Sequence, residues 1–180
     1  AAGIYDVEIR HISGKLTDHY DPRNKTLSLS DSVYGSTSVA AVGVAAHECG
    51  HAIQHQKNYA PLTIRGAIVP VANIGSTLAW PLILIGLFIS SRSGQALITA
   101  GIICFSLAVL FQIVTLPVEF NASSRALKML ESTGILSREE NKGAKKVLTA
   151  AALTYVAALA SSILQLLRLL ILSGGRRRDD

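Results

Sequence analysis

Polar and apolar positions divide this chain into two kinds of sequence. Over the first 65 residues they mix as they do in a protein facing water. Residues 4–11 place Val7, Ile9 and His11 on one face, which predicts a strand. Asp21-Pro22-Arg23-Asn24 is a turn signal. Residues 25–30 then alternate polar and apolar, the pattern of a half-buried strand. A small antiparallel sheet is expected there. Ser36-Thr37-Ser38 offers a helix N-cap, so a helix should follow over residues 39–57.

Beyond residue 67 the pattern changes. Residues 68–90 and 96–118 carry no charge, and residues 147–172 carry one, Arg168. Each run exceeds the roughly 20 residues needed to cross about 30 Å of hydrocarbon as a helix. Buried helices of a soluble bundle would show a polar face, and these do not, so three transmembrane helices are expected. The second run ends at Pro117, with Glu119 on a helix that should stop at Gly134. Ser137-Arg138-Glu139-Glu140 is a capping box for a helix leading into the third span. The expected organisation is a soluble part over 1–66, two spans over 67–118, a basic membrane-proximal segment over 119–146, and a third span with a basic tail over 147–180.

Composition agrees with a membrane protein: 49% hydrophobic, 16% charged, mean hydropathy +0.39. The net charge is +5, but no basic stripe is interleaved with aromatics, which excludes a nucleic-acid partner. The cations lie beside the spans instead, between Arg125 and Lys146 and at Arg176-Arg177-Arg178. Such clusters mark the cytoplasmic face and anionic headgroups. Cys49 and Cys104 do not suggest a disulfide. The chain begins at Ala1 without Met, and a trimmed N-terminal piece is expected.

The chemistry concentrates in His47-Glu48-Cys49-Gly50-His51. Histidines four apart on a helix share a face, so both imidazoles can bind one Zn²⁺, and Glu48 can take a proton from a water at the metal. Cys49 points off that face and reads as packing. A catalytic zinc takes three protein ligands and keeps one position open. His55 lies about 12 Å along the helix from His47, too far to share an ion easily. His11 and His19 could approach from the sheet. Glu119 is the best candidate, because a carboxylate at the end of an uncharged run needs a partner. The small residues Ala122, Ser123 and Ala126 would let its helix lie close to the metal helix.

H-E-C-G-H-A-I-Q-H, followed after two apolar runs by V-E-F-N-A-S-x-R-A-L, resembles the bacterial YugP-like neutral zinc metallopeptidases, and more distantly the heat-shock-type and CAAX-processing membrane proteases. The resemblance implies a mainly α protein with a zincin-like metalloprotease domain joined to a three-helix transmembrane bundle. It implies a gluzincin with one zinc, His47, His51 and Glu119 as ligands, and Glu48 as general base. Distant relatives carry an Asp four residues after the ligand Glu, where this chain has Ser123. A serine hydroxyl can accept an imidazole N–H but carries no charge.

The expected activity is hydrolysis of peptide bonds in membrane or membrane-proximal proteins by zinc-activated water. Arg125, Asn121, Ser123, His55 and Tyr34 are candidates for oxyanion stabilisation or for orienting the ligands. Lys25, Thr26, Leu27, Ser28 and Leu29 would form an edge strand able to pair with an extended substrate. Glu119 directly follows a span, which sets the zinc at the membrane surface of a multi-pass protein of the bacterial inner or cell membrane, with the cytoplasmic side favoured. Two other readings compete: a protease cutting within the bilayer, and a zinc-binding membrane scaffold without turnover. Ala157, Ala158, Ala160 and Ser161 would allow close helix packing, within the chain or in a homo-oligomer.

Overall fold

The computed structural model describes residues 2–176, with backbone only for residues 175 and 176. The predicted tail Arg176-Arg177-Arg178 therefore lies outside the described side chains. Three strands, β1 (Glu8–Ile12), β2 (His19–Asp21) and β3 (Thr26–Ser30), precede four helices, α1 (Val39–Gln56), α2 (Ala60–Phe88), α3 (Arg92–Thr133) and α4 (Arg138–Arg176). The chain divides into two compact units: Ala1–Thr63 with Leu116–Thr154, and Ile64–Thr115 with Tyr155–Asp180.

In the first unit the sheet is mixed, not antiparallel, with strand order β1-β3-β2. The predicted turn closes a β2–β3 hairpin: Asp21 accepts from the Arg23 N–H at 2.8 Å and the Asn24 side chain at 2.7 Å. β1 lies parallel to β3 on its other side, pairing Ile9 with Leu27 and His11 with Leu29. The predicted edge strand is thus the central strand. Thr26, Leu27 and Ser28 have neighbouring strands on both sides, which leaves no edge there for a substrate backbone, while Leu29 pairs with β1 alone. Lys25 sits at left-handed φ in the turn and pairs with Asp6. The free edges belong to β1 and β2.

α1 starts where its cap predicts: Ser38 Oγ accepts from the Ala41 N–H at 3.2 Å. It ends at Lys57 and Asn58, the latter at φ +48°, a conformation asparagine tolerates. α3 does not stop at Pro117 but runs through it to Thr133, followed by Gly134 at φ +65°. Proline interrupts a soluble helix, but membrane helices tolerate it because neighbouring groups satisfy the freed backbone. The capping box of α4 forms in both directions, Ser137 N–H to Glu140 at 2.8 Å and Glu140 N–H to Ser137 Oγ at 3.3 Å. Ala46 of α1, Ala126 and Leu130 of α3, and Ala144 and Leu148 of α4 form the core, joined by Leu136.

The second unit holds the apolar parts of α2, α3 and α4. Ile83, Ile98, Ile102 and Leu169 pack together, while Phe88, Leu164, Ile171 and Leu172 face outwards. All three helices are long and apolar enough to cross a membrane. A membrane protein's outward face is solvated by lipid, so outward apolar side chains carry no penalty there.

Candidate metal centre

α1 brings His47 and His51 onto one face, their rings 4.8 Å apart and edge-on at 87°. The first unit's stretch of α3 adds Glu119. Contact between these helices depends on Gly50, the fourth residue of the metal motif. A Cβ there would press on the Ala122 backbone, 3.0 Å from its carbonyl carbon and 3.1 Å from its Cα. Ala122 and Ala126 are fully buried beneath it. The motif thus carries both its donors and the gap that admits a third.

His47 Nε2 lies 3.2 Å from Glu119 Oε2, and His51 Nε2 lies 3.7 Å from Glu119 Oε1. The three donor atoms fall within 4.8 Å of one another. A tetrahedral zinc with bonds of 2.0–2.2 Å sets its donors about 3.3–3.6 Å apart. The spacing and the two-nitrogen, one-oxygen set fit such an ion. Glu119 is 2% exposed and His51 8%, so the ion would sit among groups already withdrawn from water.

The electrostatics favour a cation at the same point. Burial opposes the charged form of His51, but the hydrogen bond and charge of Glu119 outweigh it and raise its pKa. The buried carboxylate that favours the protonated ring would favour a divalent ion for the same reason. Glu48 is also buried, which raises its carboxyl, and the two imidazoles only partly oppose this. A carboxylate with raised basicity is suited to accept a proton near neutral pH.

The remaining sequence candidates separate. Ser123 Oγ lies 3.1 Å from His47 Nδ1, where it can accept the ring N–H and leave Nε2 for a metal. Asn121 accepts from Arg125 Nε at 2.7 Å, and the Arg125 guanidinium lies 5.8 Å over the Tyr59 ring. His55 Nδ1 meets the Tyr20 hydroxyl at 2.9 Å. Tyr34 is half-exposed and stacks on His11, which pairs with Asp31 at 2.7 Å. His19 Nδ1 lies 2.8 Å from the Thr17 carbonyl. Among the described residues, His11, His19 and His55 do not join the metal group. Cys49 and Cys104 are unbonded.

Sequence reading missed Gln54. It is 0% exposed, and its Oε1 lies 3.0 Å from His51 Nδ1. Its signal was present: a glutamine three residues after His51 shares the ligand face, and a buried amide needs several partners.

Residues 1–174 match a family described as putative neutral zinc metallopeptidase. The chain belongs to this family. It is 49% identical over 170 residues to a protein named putative membrane protease YugP from Bacillus subtilis (strain 168), covering 94% of this chain and 74% of that protein. No solved structure matches. Zinc is therefore the metal to weigh at the His47, His51 and Glu119 cluster, and a membrane setting agrees with the three long apolar helices.

Proposed function

We propose that this protein is a membrane-embedded zinc metallopeptidase of the gluzincin type. Its substrates would be membrane or membrane-proximal proteins. One observation carries the reading: three donors from two helices converge within 4.8 Å beside a buried glutamate that is not one of them. A purely structural zinc favours four protein ligands, whereas three leave a position for water. It does not need Glu48.

His47, His51 and Glu119 would hold a zinc ion, which would supply a Lewis acid and lower the pKa of a bound water. Glu48 accepts the proton of the attacking water and returns it to the leaving amine nitrogen. Ser123 orients His47. Arg125 is already engaged by Asn121 and Tyr59, which supports a bracing role over an oxyanion donor. Glu119 follows the apolar run of residues 96–118, so this reading puts the reaction at the membrane surface. The cations of the 125–146 segment favour its cytoplasmic side.

The test compares wild type with Glu48→Gln, purified in detergent with zinc, on an unfolded protein substrate. The variant should keep one zinc and lose about 10²–10⁴-fold in rate, the usual contribution of a general base. Equal cleavage by both proteins would remove Glu48 from the mechanism. Absence of cleavage by zinc-loaded wild type on denatured and membrane-protein substrates alike would favour a non-catalytic metal protein.

A further inference from the structure

The Gln54 amide is held in one orientation by groups that permit no other. Its nitrogen lies 2.8 Å from the Val118 carbonyl. A backbone carbonyl only accepts, so the NH₂ end must be there. The same nitrogen lies 3.0 Å from Asn121 Oδ1. That atom is fixed as the oxygen in turn, because Arg125 Nε, which only donates, reaches it at 2.7 Å. With its NH₂ committed, Gln54 turns its oxygen to His51 Nδ1 at 3.0 Å. A carbonyl-type oxygen cannot donate, so Nδ1 must carry the hydrogen. In the neutral ring that a metal requires, the lone pair is then on Nε2, the nitrogen facing Glu119.

We propose that Gln54 is a positioning residue for the metal: its oxygen fixes the tautomer and ring orientation of His51, and its nitrogen ties that ring to the turn of α3 that bears Glu119. The proposal rests on the zinc reading above. Gln54 acts on both sides of the centre. It touches a histidine ligand directly and the carbonyl immediately before the carboxylate ligand. An amide filling a core would need partners but would have no reason to find them on both ligand-bearing helices at the metal. The partner of a ligand histidine's second nitrogen commonly governs affinity by 10–100-fold.

The experiment measures zinc affinity by competition with a chromophoric chelator for wild type, His51→Ala, Gln54→Met and Gln54→Glu in detergent. Gln54→Met keeps the shape and loses the acceptor, and should bind zinc about 10–100-fold more weakly. Gln54→Glu keeps an acceptor for Nδ1–H but sets its second oxygen against the Val118 carbonyl and Asn121 Oδ1, so it should lose more stability than Gln54→Met yet bind zinc more tightly than it. A merely structural brace predicts that zinc affinity follows thermal stability, with Gln54→Glu the weaker binder, which would overturn the proposal. So would wild-type affinity in Gln54→Met, with the zinc reading left standing. Wild type that binds zinc no better than His51→Ala would overturn the zinc reading itself and the proposal with it. Should Gln54→Met not fold, the ¹⁵N-histidine spectrum of zinc-loaded wild type decides. A slowly exchanging His51 Nδ1–H is expected, and metal on Nδ1 with the hydrogen on Nε2 would overturn the assignment.

Discussion

Both compact units bring helices close together through glycine, yet the closeness serves different ends. In the first unit Gly50 lies against the Ala122 backbone and so brings a carboxylate to two histidines. In the second, Gly75 faces the Cys104 carbonyl and Gly101 the Ala79 carbonyl, where a Cβ would approach to 2.7 and 2.8 Å. No ligands meet at those contacts. Lipid tails are as apolar as leucine, so spans associate through close backbone packing and side-chain hydrogen bonds. Gln112 to Ser162 and Gln95 to Ser173, each 3.0 Å, are bonds of that kind. Buried polar groups also differ in meaning. Between membrane spans they join helices. In the first unit Glu48, His51, Gln54, Glu119 and Ser123 converge on one point with carboxylates among them, and that convergence marks a site.

The largest test of this contrast is Gly50→Val. Its side chain would have to displace backbone, which no rotamer change can relieve. Overpacking of this kind costs about 1–3 kcal/mol, occasionally more. Separating α1 from α3 should also abolish zinc binding, so the variant loses whatever the metal contributes as well. Metal analysis and thermal unfolding check this. Full zinc content at wild-type stability would mean that the Gly50 contact does not set the distance between the ligand helices.

Metal removal comes next, and its size should depend on pH. A ligand at a thousand times its Kd stabilises by about 4 kcal/mol. His51 has a raised pKa in the metal-free fold, because Glu119 outweighs the opposing effect of burial. Its contribution to metal-free stability is therefore fully present below about pH 6.5, the unfolded value, and is lost as pH rises through the folded value. Zinc requires the deprotonated ring, so its affinity moves oppositely, gaining up to about tenfold per pH unit over the same window. The gap in melting temperature between zinc-loaded and chelated protein should widen as pH rises from 6 to 8.5. A constant gap would mean that zinc does not compete with the His51 proton.

The sequence made the donors and the helix starts legible because both are local. An i, i+4 histidine pair fixes a face, and Ser38 and Ser137 act within one turn of themselves. Glu119 was reachable because a charge ending an apolar run needs a partner. The sheet order was not. Residues 25–30 alternate as either a central or an edge strand would, and only the parallel return of β1 makes β3 central. Pro117 misled for a related reason: whether proline stops a helix depends on what surrounds it. Gln54 went unread because its meaning lies in Val118 and Asn121, more than sixty residues away in sequence.

The smallest effect sharpens the contrast from the stability side. In the first unit α1 and α4 start with side-chain caps, and the reciprocal Ser137–Glu140 pair is the fuller of the two. Ser137→Ala removes the hydroxyl that accepts the Glu140 N–H and leaves a first-turn donor to water. The expected loss is about 1 kcal/mol, within the 0.5–2 kcal/mol range for N-cap serines. It should appear as faster amide exchange over residues 138–142, with zinc affinity unchanged because the cap touches none of the ligands. Glu140→Gln should retain most of the stability, since an amide oxygen can still accept the Ser137 N–H, though the charge that favours a helix N-terminus is gone. If Ser137→Ala instead weakened zinc binding, the start of α4 would belong to the metal centre's support, and the separation between helix-start energetics and site geometry would fail within the first unit.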